Sequence, residues 1–193
     1  MQTMTCPQYQ PVPPKKGCGW LASVAGALML AVLMAVLTLL ANTYEKKHGT
    51  SCASNLKRIG LAARAYAMDH DDQFPLELQA LRDLGYIKDP DAFLCPASST
   101  RPGTGSAFVT SYVYLGAGLK QGPGGDEIPI AMDPRNHDRT IKILFKDGHI
   151  YWFDLPRKMT PCVEVLHHLF PDLDQSPEGR LVLENAQKAD KGL

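Results

Sequence analysis

From Gly19 to Ala41 the chain reads GWLASVAGALMLAVLMAVLTLLA, without a single charged residue. An α-helix rises about 1.5 Å per residue, so roughly 20 apolar residues in a row match the thickness of a bilayer core. Trp20 and Tyr44 stand near the two ends, where amphipathic rings favour a headgroup region. Lys15 and Lys16 flank one side and Lys46 and Lys47 the other. A cleaved secretory signal carries an apolar stretch of only about 7–15 residues, ending in small residues. The run is longer than that, and Leu39 breaks an A-x-A pattern ending at Ala41. The expectation is a retained single-pass transmembrane helix over residues 19–44, with the lipid bilayer as its partner. Lys57 and Arg58 add positive charge on the C-terminal side, an argument for that side lying inside, although long domains cross despite such charges.

The flanking segments divide the rest. Residues 1–18 hold three prolines between Pro11 and Pro14 and read as an extended tail. After the apolar run, Gly49 and Thr50-Ser51 offer a break and an N-cap. In the segment CASNLKRIGLAARAYAMDHDDQFP, Leu56, Ile59, Ala63, Tyr66 and Ala67 recur at helical spacing and line one face. Asp69-His70-Asp71-Asp72 ends that helix; it lacks the D-x-D-x-D-G spacing of a calcium loop. Leu76–Leu84 suits a short helix burying Leu78, Leu81 and Leu84. Phe108–Leu115 reads as a strand, and Gly116–Pro129 as a loop. IKILFKDGHIYWF is two β-prone runs joined by Asp147-Gly148, a pair that favours a two-residue type I′ hairpin. That turn sets Lys146 opposite His149 and Phe145 opposite Ile150. It puts Ile141, Ile143, Phe145, Ile150 and Trp152 on one core face. Short helices follow from Thr160-Pro161 and from Ser176-Pro177. The resulting domain list is a tail (1–18), a membrane helix (19–44), an α+β domain (51–156) and a helical extension (157–193).

Chemistry is sparse. Equal numbers of basic and acidic residues give zero net charge, which removes the basic excess of a nucleic-acid binder. Cys6, Cys18, Cys52, Cys95 and Cys162 form no C-x-x-C pair, so no zinc ribbon is indicated. Asp133, His137, Asp147 and His149 are two histidines and two carboxylates that suit a metal. Asp147 is already explained by the turn and His149 by its strand, and His137 suits a brace on the loop before the hairpin. Cys162, His167 and His168 share a short helix, where a cysteine usually serves as a small buried residue. No G-x-S-x-G, H-E-x-x-H or phosphate-binding loop is present. The expectation is a protein without catalytic residues, cofactor or metal.

His137, followed after nine residues by Asp147-Gly148, resembles the H-x9-DG signature of a bacterial family of prepilin-type, processing-associated proteins related to type II secretion pseudopilins. CASNLKRIGLAARAYAMDHDDQFP is similar to the family's C-x-x-N-L-K-x-I-G-L-A helix, AFLCP to its L-C-P segment, and SYVYLGAGL to the strand after it. These matches run from about Ser51 to Asp154. The resemblance implies an α+β architecture: an N-terminal hydrophobic helix, a pilin-like domain with a helix packed on a small antiparallel sheet, and a C-terminal hairpin. It implies a domain outside the cytoplasmic membrane with the N-terminus inside. The implied role is a non-enzymatic pseudopilin-like protein of a type II secretion or type IV pilus-like system, with other pseudopilins or secretion components as partners. The alternative is an uncleaved, membrane-tethered envelope binding domain. The start departs from the prepilin pattern: Cys18-Gly19-Trp20-Leu21-Ala22 follows Lys15-Lys16-Gly17, and neither Ala22 nor Val24 supplies the acidic fifth residue. For the cysteines, a Cys52–Cys95 disulfide is expected, in competition with Cys95–Cys162, Cys52–Cys162 or three reduced thiols.

Overall fold

The computed structural model describes residues 19–96, 98, 108–125, 127–133, 139–157, 159 and 161–191. Two compact units are present, Met1–Thr43 and Tyr44–Leu193. One helix, α1 (Gly19–Asp69), contains the whole apolar run and the helix read after it, with no break at Gly49. The apolar side chains described in it before Thr43, at positions 26–40, are all exposed. Among the described residues no helix is long and apolar enough to cross a membrane. The transmembrane helix expected over 19–44 is therefore corrected. With it go the lipid bilayer as partner, the single-pass placement in the cytoplasmic membrane, and the membrane-tethered alternative.

In the second unit α1 packs as its periodicity predicts, with Leu56, Ile59, Ala63 and Ala67 buried. Its end is written in two consecutive aspartates. Asp71 and Asp72 take φ of 53° and 61°, a left-handed conformation that Asp tolerates better than most residues. The Asp72 N–H then closes on Ala67 O at 2.9 Å. Helix α2 (Leu78–Asp83) buries Leu78 and Leu81, whereas Leu84 lies 58% exposed. A 3-10 turn at Pro90–Phe93 follows, capped by the Asp89 side chain.

Four antiparallel strands form an open sheet in the order β1 (Val113–Tyr114), β2 (Pro129–Met132), β3 (Thr140–Phe145) and β4 (Ile150–Asp154). The fold is α+β. Two strands differ from expectation. Phe108–Leu115 contributes only two residues as β1, while β2 starts at Pro129, the last residue of the segment read as a loop, and continues through Ile130–Met132, where no strand was expected. The overlooked signal is the apolar run Ile128–Met132, all of it buried.

The hairpin is one residue out of the expected register. Leu144 pairs with Ile150, Ile143 with Tyr151 and Lys142 with Trp152. Phe145 N–H bonds His149 O, and Gly148 N–H bonds Phe145 O. The loop thus holds three residues, Lys146-Asp147-Gly148, with Gly148 at φ 91°, the familiar form with glycine in the left-handed position. Two contacts draw it there: Lys146 N–H reaches Ile128 O, and the Asp147 carboxylate accepts the His149 N–H.

The slip turns Ile150 and Trp152, expected on the core face with Ile143 and Phe145, to the face of Lys142 and Leu144, and Trp152 is half exposed there; β3 itself is covered on both faces, with Ile141 through Phe145 all buried. On one face Leu144 lies against α1 at Gly60, where an added Cβ would come within 2.7 Å of Leu144 Cδ1. On the other, Phe145, Phe153 and Phe170 form an aromatic cluster. Phe170 ends α3 (Cys162–Leu169). The start of α3 is capped from α4 (Pro177–Lys191), whose Asp190 carboxylate accepts the Cys162 and Val163 N–H groups.

Candidate binding groove

The residues expected to carry chemistry are dispersed. Asp147 lies at the hairpin tip, where its carboxylate takes the His149 N–H at 2.9 Å and the His149 ring Nδ1 at 2.6 Å. Partial burial opposes ionisation of that carboxyl. The two His149 contacts and the nearby Arg64 outweigh it, and they hold the pKa below the usual carboxylate range. Asp133 is elsewhere, fully buried after β2. It takes the Lys142 N–H on Oδ1 at 3.0 Å and the Lys142 ammonium on Oδ2 at 2.9 Å. His137 lies outside the described residues. Among the described residues no group of His, Cys, Asp and Glu is arranged to hold a metal ion.

Gly148 and Asp147 instead face α1. Lys57 Nζ donates to Gly148 O at 2.7 Å, and Arg64 donates to Asp147 O at 2.6 Å. Seven residues apart, these two cations stand on one side of the helix, two turns from each other. They hold both carbonyls of the turn. The Asp-Gly pair is thus a docking point between hairpin and helix.

Cys52 and Cys95 are joined in a disulfide, with their Cα atoms 5.0 Å apart. The bridge ties the middle of α1 to the chain just after the 3-10 turn. Asn55, one turn further along α1, donates to Leu94 O at 2.9 Å. Cys95 N–H is received by Ser111 Oγ, and Tyr112 donates to Cys52 O at 3.3 Å. Cys162 is buried in the core beside Val165 and Leu166, and His167 and His168 are exposed on α3.

Together these contacts fix the segment Tyr86–Asp89 beside α1 and leave an open groove of about 430 Å3 between them. Its floor and walls are Leu61, Ala62, Ala65, Tyr86 and Ile87, and Arg58, Lys88 and Asp89 form its rim. Leu61 is 58% exposed there. Tyr86 is held by its hydroxyl, which donates to Asp69 at 2.7 Å. That bond, with some desolvation, pushes its phenol pKa up. Arg58 and Asp89 are paired at 3.0 Å. This pairing, and the N–H of Asp91 on the same carboxylate, holds the Asp89 pKa below the usual range. Asp89 is thereby occupied, and Lys88 leaves the rim with a net positive charge. Sequence reasoning missed the groove, because Leu61 and Ala65 lie just off the apolar stripe of α1 and meet Tyr86 and Ile87 only in the fold.

Comparison with family models, with curated proteins and with solved structures finds no match to this chain. The expected identity as a pseudopilin of a secretion or pilus system, with pseudopilins as partners, thus has no support from any relative; with the membrane span set aside, that expectation is corrected to a small α+β domain with an open four-stranded sheet.

Proposed function

We propose that this chain is a non-enzymatic binding domain, and that its groove between α1 and Tyr86–Asp89 takes an extended protein segment carrying an apolar anchor flanked by acidic residues. The observation that carries this reading is Leu61, a large aliphatic side chain left mostly exposed on the floor of a groove otherwise made by fixed residues. Covering such a side chain contributes about 1–2 kcal/mol. The groove is open rather than enclosing, which suits a side chain presented on a peptide better than a small molecule buried on all sides. The net positive rim from Arg58 and Lys88 selects acidic neighbours for that anchor. Kinship with the H-x9-DG family belongs to the same proposal. It is supported by the order of the C-A-S-N-L-K, L-C-P and Asp-Gly segments and by the contacts that join them.

Amide chemical-shift mapping of the full chain tests the reading. The probe is a short synthetic peptide with a central leucine–phenylalanine pair flanked by glutamates, beside its lysine-flanked counterpart. The acidic peptide is expected to shift residues of the groove. Leu61→Asp is expected to weaken it at least tenfold, about 1.4 kcal/mol. Equal binding of both peptides, or unchanged binding to Leu61→Asp, overturns the proposal.

A further inference from the structure

Strand β4 is an outer strand of the sheet, and its free edge is set by the hairpin register. Residue pairs in an antiparallel ladder alternate between those that exchange hydrogen bonds and those that do not. Phe145 bonds His149, and Leu155 N–H bonds Arg139 O at the other end of the hairpin. The bonded pairs between them are therefore Ile143 with Tyr151 and Ile141 with Phe153. It follows that Ile150, Trp152 and Asp154 turn their N–H and C=O groups away from β3. Among the described residues no strand pairs with that side.

Edges of this kind are ordinarily blunted by lysine, proline, a bulge or an inward charge. From Ile150 to Phe153 there is none, and the β3–β4 register is unbroken. Tyr151 is 57% exposed and Trp152 49% exposed, on opposite faces. The sequence of the edge is also nearly symmetric about Trp152, with an aromatic residue on each side, Tyr151 and Phe153.

We propose that β4 is a self-association edge, which pairs with β4 of a second copy about a two-fold axis through Trp152. The phase of the ladder fits this occupant. A second β4 laid antiparallel and centred there puts Trp152 opposite Trp152 of the other copy, and Ile150 opposite Asp154. All three outward-facing residues then fall in hydrogen-bonded pairs, and no edge group is left over. Tyr151 falls opposite Phe153 on one face, an aromatic cross-strand pair of the stabilising kind. On the other face the two indoles meet, each already backed by the Lys142 ammonium, 4.8 Å from its ring centroid. An unrelated partner strand gains the backbone bonds but not this symmetric side-chain match. The edge is distinct from the α1 groove, so the two proposals stand or fall separately.

Sedimentation of the full chain over a concentration series tests it, with circular dichroism to confirm folding. A concentration-dependent dimer is expected. Ile150→Pro removes an outward N–H, which an edge strand tolerates, and trims a side chain only partly packed on the core; Tyr151→Lys places a charge against Phe153 of the other copy. Each is expected to weaken dimerisation at least tenfold with the fold retained. A chain that stays monomeric, or that associates equally in a folded Ile150→Pro or Tyr151→Lys variant, overturns the proposal. The register is read with Cys6→Ser and Cys18→Ser in place. Trp152→Cys is expected to crosslink between copies under mild oxidation, and Asp154→Cys is not, because it lies about 13 Å from its own mate at 3.3 Å per residue. Equal crosslinking at both positions overturns the two-fold register.

Discussion

The most demanding pair of residues in the domain is Lys142 and Asp133. Their side chains are 3% and 0% exposed, and they meet at 2.9 Å. A buried charge is tolerated when its partner and hydrogen bonds replace water, and removing one member leaves the other uncompensated. Lys142 also lies beneath the Trp152 ring, which adds a cation–π contact. Lys142→Met is therefore expected to cost about 3–5 kcal/mol in denaturant unfolding, far more than its loss of packing alone. Asp89 offers a milder test at the groove. Its carboxyl is held below the usual range by Arg58 and by the Asp91 N–H. A depressed carboxyl contributes stability that is fully present above its unfolded pKa, near 4, and that is lost as pH falls through the lower folded pKa. The stability difference between wild type and Asp89→Asn is thus expected at neutral pH and should vanish toward pH 2 in urea titrations. Because Asp89 is about half exposed, solvent screening keeps that difference small. A difference that persists undiminished in acid would assign the effect of the substitution to something other than this charge.

At the scale of elements, the hairpin tip and α1 form one joint. Gly148 carries φ of 91°, and an added Cβ would lie 3.5 Å from Arg64, an ordinary contact. Backbone conformation, not space, is what glycine supplies there. Gly148→Ala is expected to cost about 1–2 kcal/mol, the penalty for a left-handed L-residue, and Gly148→Asn less. Equal stability of all three by thermal unfolding would contradict the register. The Asp-Gly signal was enough to place a turn between two strands, and the 3.6-residue period was enough to find the buried stripe of α1. The type of turn was not legible, because it is decided by Ile128 O, which captures Lys146 N–H from the residue just before β2, where no strand was expected. The apolar run before Thr43 was legible as a helix, but its length as one continuous α1 through Gly49 was not. Nor was the groove, since Leu61 looks on the helix like an isolated surface leucine. Its meaning comes from Tyr86 and Ile87, brought alongside by the chain between Cys52 and Cys95. His137, the first residue of the spaced motif, lies outside the described residues, so that motif is read from its Asp-Gly end.

On the scale of the whole molecule, the segment after Pro156 decides how the sheet is covered. A sheet with one wet face shows alternating burial, and β3 does not: its residues from Ile141 to Phe145 are all buried. Helix α1 accounts for one face through Leu144. The other is met by residues of the C-terminal segment. Phe170 packs edge-on against Phe145 and Phe153, and Glu178 accepts from the mostly buried Lys146 ammonium at 2.7 Å. Asn185 reaches furthest, because its side-chain amide donates to Leu115 O and to Ala117 O, each at 2.9 Å. These two carbonyls lie just beyond β1, so α4 is bonded to the opposite end of the sheet from the hairpin. Gly179 shows how close the turn into α4 is: an added Cβ would come within 1.7 Å of the Leu173 carbonyl oxygen. Such a segment is an integral layer of the domain. Two changes test this at different strengths. Asn185→Ala leaves two carbonyls without their donor and is expected to cost about 2 kcal/mol, the scale for buried polar groups deprived of a partner. Truncation after Arg157 uncovers Phe145 and Phe153 together, and the expected product lacks a cooperative unfolding transition and binds a hydrophobic dye. If the segment were an appendage, the truncated chain would unfold cooperatively at the wild-type denaturant midpoint and Asn185→Ala would be neutral. Gly179→Ala separates the two cases independently, because its clash is with backbone and has no side-chain escape, so an appendage would absorb it without loss and an integral layer would not.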